Sequence, residues 1–508
     1  MTRRDFLFTS VAITLGIPGC YSSDDKKNKQ DAKQQNEPID DIGKPEEEPS
    51  SGNVNKPTPE PEPVVPTKQS DHVLYYERQD AEYAKYRQAF NKRITHSPKI
   101  IAVCLDETGV QEAVKYANYY QLPIAIKSGG HSFEGYCLNN DGMVISLAKL
   151  NTKAYDEATE RFVAGPGCKL GEVYQYLNTF GKLLPAGSCG GVGVAGLTLG
   201  GGYGFFSREH GLTCDHLTKV KMVDGEGNMH NSDDNPDLLW ACRGGGNGNF
   251  GVITELTFKT VVAPKNFTSY VFKFYKLTPK KAEELAKMWF SAMETLPRSC
   301  YGSYILNGKT LTVLVTNTEE KESSALKIIV SKLNAKADKR ASARKRPLLK
   351  ALNAYKGRPD PLFFKNVSGG YYKGFDDIAS VFQTIAAMIQ KKQGMTTLLQ
   401  INTLGGEIAN EEKTDSAAYP HRQFGFLGEL QVYYDRESQG AKAATKVQNI
   451  QQAFLKAGVT RHYRNYPDID LPNWEQAYYG ESYERLRGFK NRFDPNDHIQ
   501  HPQSIKPS

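Results

Sequence analysis

The eight cysteines of this chain contain no CxxC pair and no Cys/His cluster, so neither a metal site nor a disulfide framework is expected. A GxxxxGK[ST] loop is also absent, so a P-loop is excluded. No apolar run approaches the roughly 20 residues that cross a bilayer as a helix, and neither a Gly-X-Y period nor a sustained heptad occurs. A multi-span membrane protein, a collagen and a coiled coil are therefore set aside. Tryptophan is scarce, 3 in 508 residues, against 45 glycines and 28 tyrosines. Turns and close backbone approaches consume glycine, so this balance points to a loop-rich α/β or α+β enzyme rather than a helix bundle. With 39% hydrophobic residues and a formal charge of +7, the chain can bury a sizeable core.

Residues 1–20 carry Arg3 and Arg4, a short apolar run from Phe6 to Ile17, and Ile17-Pro18-Gly19-Cys20. The pattern predicts a twin-arginine export signal ending in a lipobox, with Cys20 lipidated after cleavage. Residues 21–70 hold 8 of the 26 prolines, 11 acidic residues and one aromatic, Tyr21. Such a segment cannot bury enough apolar surface to order itself and reads as a disordered tether. The expected location is the bacterial cell envelope, with membrane attachment only through the lipid at Cys20. The basic stretch Lys321–Arg358 has helical apolar spacing at Leu326, Ile329 and Leu333, which fits a solvated basic face or a surface for an anionic partner.

From Lys99 onward strand and helix patterns alternate. Strands are predicted at 99–104, 123–127, 143–147, 162–164, 217–223 and 251–259, and helices at 108–120 and 170–180. Beyond residue 268 helices at 281–293 and 378–391 are set against strands at 311–315 and 425–434, which reads as a second domain. Gly246-Asn247-Gly248-Asn249-Phe250-Gly251 has the letters of GxGxxG, but a β-branched alternating run follows where a dinucleotide site needs a helix. A Rossmann site is rejected. Two other glycine loops are better placed to let backbone N–H groups approach an anionic ligand. One is Lys127-Ser128-Gly129-Gly130-His131-Ser132 after a strand, and the other is the dense run from Pro185 to Gly204.

The segments KSGGHSFEG, PAGSCGGVGVAGLTLGGGYGFFSREHGLTCD, WACRGGGNGNFGVIT and RNYPDIDLPNWEQAYYGESYERLRGFKNRFDPNDHIQHPQSI together resemble the berberine bridge enzyme-like family, in the vanillyl-alcohol oxidase superfamily of FAD-linked oxidases. The resemblance implies an α+β, two-domain fold. Residues 71–260 with the C-terminal return 467–508 would bind FAD, and 261–466 would be a substrate domain whose antiparallel sheet, covered by helices, faces the flavin ring.

It further implies that His131 is joined to the flavin 8α-methyl and that Cys189 sits where many members form a second bond to C6, although Gly190 and Gly191 replace the usual Pro and Thr. Contacts to FAD would come from Ser128, Gly129, Gly130, Ser132, Ser188, Gly193, Gly196, Thr198, Gly248, Asn249 and Val252, with Asn465 near the ring. Val192 would lie where oxygen meets the flavin, and a valine there accompanies oxidases. The Tyr463-Arg464-Asn465-Tyr466 motif would supply the base, Tyr466, for oxidation of a C–OH group by hydride transfer. Gln400 stands where some members carry a carboxylate and would orient substrate or phenolate. A phenol working near neutrality needs its pKa lowered by two to three units from about 10, for which Lys219, Lys221, Arg464 and Arg422 are the candidate cations. The expected partners are a carbohydrate or other small-molecule alcohol and molecular oxygen, with no nucleic acid and no metal. The alternatives are a flavin dehydrogenase with another electron acceptor and a non-catalytic flavin-bearing surface protein.

Overall fold

Strand β2 (Ile100–Cys104) is buried along its whole length because its two faces feed different clusters. Ile100, Ala102 and Cys104 join one apolar core, while Ile101 and Val103 join another. A strand covered on both sides reads as an unbroken apolar run, which is what IIAVC is. It pairs antiparallel with β1 (Val73–Glu77) and parallel with β4 (Met143–Ser146), which in turn pairs parallel with β3 (Ile124–Lys127). The crossover from β2 to β3 is the helix Glu107–Tyr119, started by the Asp106 carboxylate accepting from the Gly109 N–H at 2.9 Å. That cap satisfies one of the helix's orphan donors. In this computed structural model residues 65–508 are described. The twin-arginine segment, Cys20 and residues 21–64 of the tether lie outside the described residues.

A second sheet, antiparallel, runs in the order β5 (Lys153–Asp156), β6 (Arg161–Ala164), β10 (Gly251–Lys259), β8 (Leu217–Asp224), β9 (Met229–Asn231). β10 is the strand that follows the GxGxxG letters, where a dinucleotide site would need a helix, so the rejection of that reading is borne out. A small ribbon joins β7 (Lys182–Leu183) to β11 (Val261–Val262).

The largest sheet has seven antiparallel strands in the order β15 (Arg344–Pro347), β12 (Asn266–Phe274), β14 (Thr310–Asn317), β13 (Cys300–Asn307), β17 (Thr396–Thr403), β18 (Phe426–Tyr434), β16 (Phe363–Tyr372). One face is covered by the helices Pro279–Glu294, Asp376–Gln390 and Gly440–Lys456 over a core holding Trp289, Tyr304, Leu399, Ile401, Leu430 and Val432. Pleating turns the alternate residues Ser303, Gln400, Asn402, Glu429, Gln431 and Tyr433 to the opposite face, and those from β17 and β18 are brought into register by the pairs Gln400↔Glu429 and Leu398↔Gln431. The basic helix Ser324–Asn334 buries Leu326, Ile329 and Leu333 and leaves Lys327 and Lys332 in solvent.

The carboxyl-terminal segment returns to the first sheet, where the Ile124 N–H donates to the His498 carbonyl at 2.7 Å and Ile124 bridges Ile499. Lys490, fully buried, clamps this return by donating to the carbonyls of Asn249 and Ile499 at 2.9 and 2.7 Å while pairing with Asp494.

Candidate active site

The loop Ser128–Ser132 leaves the carboxyl end of β3, where parallel strands release their chains and ligands gather. Gly130 makes the turn at φ +70°, a conformation that glycine adopts without strain. The loop is tied at its root, since buried Lys127 donates to the carbonyls of Tyr86 and Gln88 and the Ser128 hydroxyl donates to the Pro166 carbonyl. His131 stacks on Phe90 with ring centroids 4.3 Å apart. Burial pushes its imidazole down to about 4, so at neutral pH the ring is uncharged and keeps a nucleophilic lone pair.

The second glycine loop lies directly against the first. A Cβ on Gly193 would stand 2.2 Å from the Ser128 hydroxyl oxygen and 2.6 Å from the Gly129 nitrogen, and a Cβ on Gly129 would stand 2.4 Å from the Gly193 nitrogen. Only backbone fits there. A Cβ on Gly191 would lie 3.0 Å from His131 Nε2, so the loop carrying Cys189 and Val192 adjoins the histidine. The Gly190 N–H donates to the Lys356 carbonyl at 2.9 Å, which holds this loop to the segment before β16. Cys189 opens onto the cavity but is surrounded by protein, and burial pushes its thiol up to about 11; it rests as thiol, not thiolate.

Both loops line a cavity of about 410 Å³ whose far wall is the polar face of the seven-stranded sheet. Of the cofactor residues expected from sequence, Ser128, Gly129, Gly130, His131, Ser132, Ser188, Cys189, Val192, Gly193, Gly196, Gly248 and Asn465 line it. Thr198, Asn249 and Val252 do not. The Thr198 hydroxyl donates to the Val194 carbonyl inside a helix, Asn249 bonds the Gly245 carbonyl and the Ile505 N–H, and Val252 packs in the core beside the first sheet. The fit to a flavin is good on geometry. Side-chain-free loops bring backbone close, a Cβ on Gly196 would meet no atom within 4 Å, and a neutral imidazole faces the space between them.

Tyr466 and Gln400, expected to be catalytic, belong to one hydrogen-bonded network on the sheet wall. The Tyr466 and Tyr203 hydroxyls are 2.7 Å apart, and Asn402 Nδ2 donates to Tyr203 Oη at 2.9 Å. Asn402 Oδ1 accepts from Tyr301, Ser303 and Gln400 at 2.6, 2.9 and 2.9 Å. Phe133 stacks on the Tyr466 ring at 5.2 Å. Tyr463 has a different task, because its hydroxyl oxygen accepts from the Gly202 N–H and from Asn465 Nδ2 at 2.9 and 3.1 Å. It fastens the glycine turn to the Tyr-x-Asn-Tyr segment.

The expectation that a cation lowers the Tyr466 pKa is overturned. Lys219 pairs with Asp233, Lys221 with Glu107 and Glu255, Arg422 with Asp215, and Arg464 bonds Tyr479 and His501. Each charge is used where it stands, and the Tyr466 phenol is instead driven well above its ordinary value, first by burial and then by Glu429. Sequence reading missed Glu429, Tyr203 and Asn402. Glu429 was within reach of it, since a lone charge inside the alternating strand Phe426–Tyr434, in phase with Gln431, falls on the polar face. Burial pushes its carboxyl up to about 7.

Residues 98–233 match the family model described as an FAD binding domain, and residues 462–506 match the one described as berberine and berberine like. The uncharacterized FAD-linked oxidoreductase YgaK of Bacillus subtilis is 28% identical over 445 residues, covering 85% of this chain and 96% of its own. A carbohydrate oxidase of Microdochium nivale is 27% identical over 463 residues, covering 84% and 91%. The solved xylooligosaccharide oxidase from Myceliophthora thermophila, in complex with xylobiose, superposes with a TM-score of 0.75 at 25% identity, over 86% of this chain and 97% of that one.

Proposed function

This chain belongs to the berberine bridge enzyme-like family of FAD-linked oxidoreductases, and from that premise we propose that it oxidises a C–OH group of a carbohydrate or other small alcohol. The observation that carries this reading is the Tyr466–Tyr203–Asn402 network, whose two tyrosines line the same cavity as the His131 loop while buried Asn402 backs them. Bound FAD would supply the hydride acceptor, with oxygen as the final acceptor. His131 is the covalent anchor in this reading and Cys189 a candidate second one. Tyr466 receives the substrate hydroxyl proton, and Gln400 and Gln431, joined at 3.4 Å, offer amides to neighbouring hydroxyls. The alcohol-oxidising reading is supported by relatives named carbohydrate oxidase and xylooligosaccharide oxidase.

In the same reading residues 71–260 and 467–508 hold the cofactor and 261–466 the substrate. Export through the twin-arginine signal and a lipid at Cys20 would place the enzyme on the cell envelope, so Cys20→Ser should release it from membranes in a fractionation.

The deciding experiment is anaerobic bleaching of the purified yellow protein by a panel of sugars headed by xylobiose, followed by peroxide measurement in air. Bleaching that Tyr466→Phe abolishes, with peroxide formed on reoxidation, is the expected result. A flavin reduced by no alcohol, or equally well reduced in the phenylalanine variant, would reject the reading. Acid precipitation should leave the colour with the protein, and His131→Ala should weaken or remove that retention.

A further inference from the structure

Glu429 is the one acidic side chain among the residues lining this cavity, and it stands on the wall that carries Tyr466. It is 8% exposed and forms no ion pair among the described residues. Its strand sets it directly across the ladder from Gln400. The ionisable groups of this cavity on which its charge bears are Tyr466, Tyr203, Tyr301, Tyr433 and Cys189, with Gln431 two residues on along the same face of its strand. The cations that line the cavity, Lys356, Arg358 and Arg464, make no pair with it.

Hydrogen-bond direction can be followed through this cluster. The Asn402 carbonyl oxygen is occupied by three donors, so its amide nitrogen donates to Tyr203 Oη. Tyr203 then has one proton to give, and its partner at 2.7 Å is Tyr466 Oη. With its oxygen accepting from Tyr203, Tyr466 directs its own proton to another acceptor, and a carboxylate is acceptor only. Glu429 lines the same cavity as this phenol, and after burial its charge is the largest influence on it. The donors run Asn402, Tyr203, Tyr466, and the Glu429 carboxylate is the one acidic acceptor lining this cavity.

Resting on the alcohol-oxidising reading above, we infer that Glu429 is the terminal proton acceptor of the reaction and Tyr466 the relay between it and the substrate hydroxyl. The balance is complete. The substrate C–OH loses a hydride with both electrons to the flavin and a proton to Tyr466 Oη. The Tyr466 O–H bond breaks as an O–H bond forms on the Glu429 carboxylate, and a carbonyl product results. The Tyr203 hydroxyl holds the Tyr466 oxygen during the exchange, and Glu429 returns the proton to solvent before the next turnover. This arrangement resolves the difficulty of a deeply buried phenol serving as base, because the phenol need never rest as phenolate.

The test uses the flavin-loaded enzyme with xylobiose as reductant and the variants Glu429→Gln, Glu429→Asp and Tyr466→Phe. In wild type the rate of anaerobic flavin reduction should rise through neutral pH as Glu429 ionises. Glu429→Gln should reduce the flavin at least about a hundredfold more slowly and lose that rise, while Glu429→Asp recovers most of the rate. A glutamine variant within about threefold of wild type with the same pH profile, while Tyr466→Phe is inactive, would overturn the proposal and leave the alcohol-oxidising reading standing. The second arm needs no turnover. Infrared difference spectra between about pH 5 and about pH 9 should show a carboxyl band that Glu429→Gln removes and Tyr466→Phe displaces. A band unmoved by Tyr466→Phe would overturn the relay whatever the activity. If wild type is not reduced at all, the functional reading fails and the infrared arm alone judges the Glu429–Tyr466 pair.

Discussion

Four ionisable groups around the cavity are shifted in the same sense, each toward its neutral form. His131 goes down to about 4, Cys189 up to about 11, Glu429 up to about 7 and Tyr466 well above its usual value, and burial is the first cause in each case. Desolvation by the surrounding protein disfavours whichever form carries charge. For Glu429 the consequence is a stability that depends on pH. Its folded pKa lies above the ordinary 4.5, so the fold binds this proton more tightly than the unfolded chain does. The stability this contributes is present below about pH 4.5 and is lost as pH rises through about 7, a change of roughly 3 kcal/mol. Denaturant melts should therefore find Glu429→Gln close to wild type at about pH 4.5 and more stable above about pH 8. A difference between the two that stays constant across this range would mean that Glu429 is not desolvated in the folded protein. Val192 raises a separate point. Half-buried against the core, it lines the cavity with small neighbours on either side. One added methylene is enough to be felt in a packed site. Val192→Leu should slow reoxidation of the reduced flavin by oxygen by about tenfold, the equivalent of ~1.4 kcal/mol, with reduction by substrate little changed. Stopped-flow mixing with oxygenated buffer measures both.

At the scale of elements, the two glycine loops show that a glycine can be required for different reasons. Gly193 has an ordinary backbone, φ −72° and ψ 135°, but no space for a Cβ against Ser128 and Gly129. Gly196 has open space and sits inside the helix Val194–Leu199. Gly193→Ala should force the loops apart, lowering the melting temperature and the flavin bound per chain together. Gly196→Ala should melt at or above wild type, since alanine gains about 0.5–1 kcal/mol in a helix interior, yet lose flavin if its methyl enters cofactor space. Thermal melts with visible absorbance per chain separate the two. The elements with a clear period formed where they were expected, while others, among them strands β12, β13, β16 and β17, were not read. The helix expected at 108–120 is Glu107–Tyr119, and the strand expected at 425–434 is Phe426–Tyr434. Strand β1 was not read, because VLYYE follows the polar tether and alternates poorly, being an edge strand with one buried residue. Its strand character comes from pairing with β2.

For the whole molecule, the decisive contact is the carboxyl-terminal return onto the first sheet. Lys490 and Asp494 are fully buried there, and Asp494 also accepts from the His498 and Ile499 N–H groups at 2.9 Å each. Removing one partner strands a buried charge, so Lys490→Met should cost about 3–5 kcal/mol in a denaturant melt, with Lys490→Met/Asp494→Asn recovering part of it. A loss below about 1 kcal/mol would mean that the return is not held by this pair. The local signals in the chain were sufficient for an α/β or α+β pattern, the glycine loops and the rejection of a Rossmann site, because turn chemistry and hydrophobic period are written in neighbouring residues; the α+β choice and the His131 and Tyr466 positions came from the resemblance of four separated motifs to a known family. Ionisation and hydrogen-bond direction were decided only by the tertiary structure. Whether a cation or a carboxylate bears on Tyr466 depends on β18, a strand some 40 residues away in the chain that pleating and register bring to the same cavity. Burial, which drives all four shifts, belongs to the assembled cavity and to no stretch of sequence.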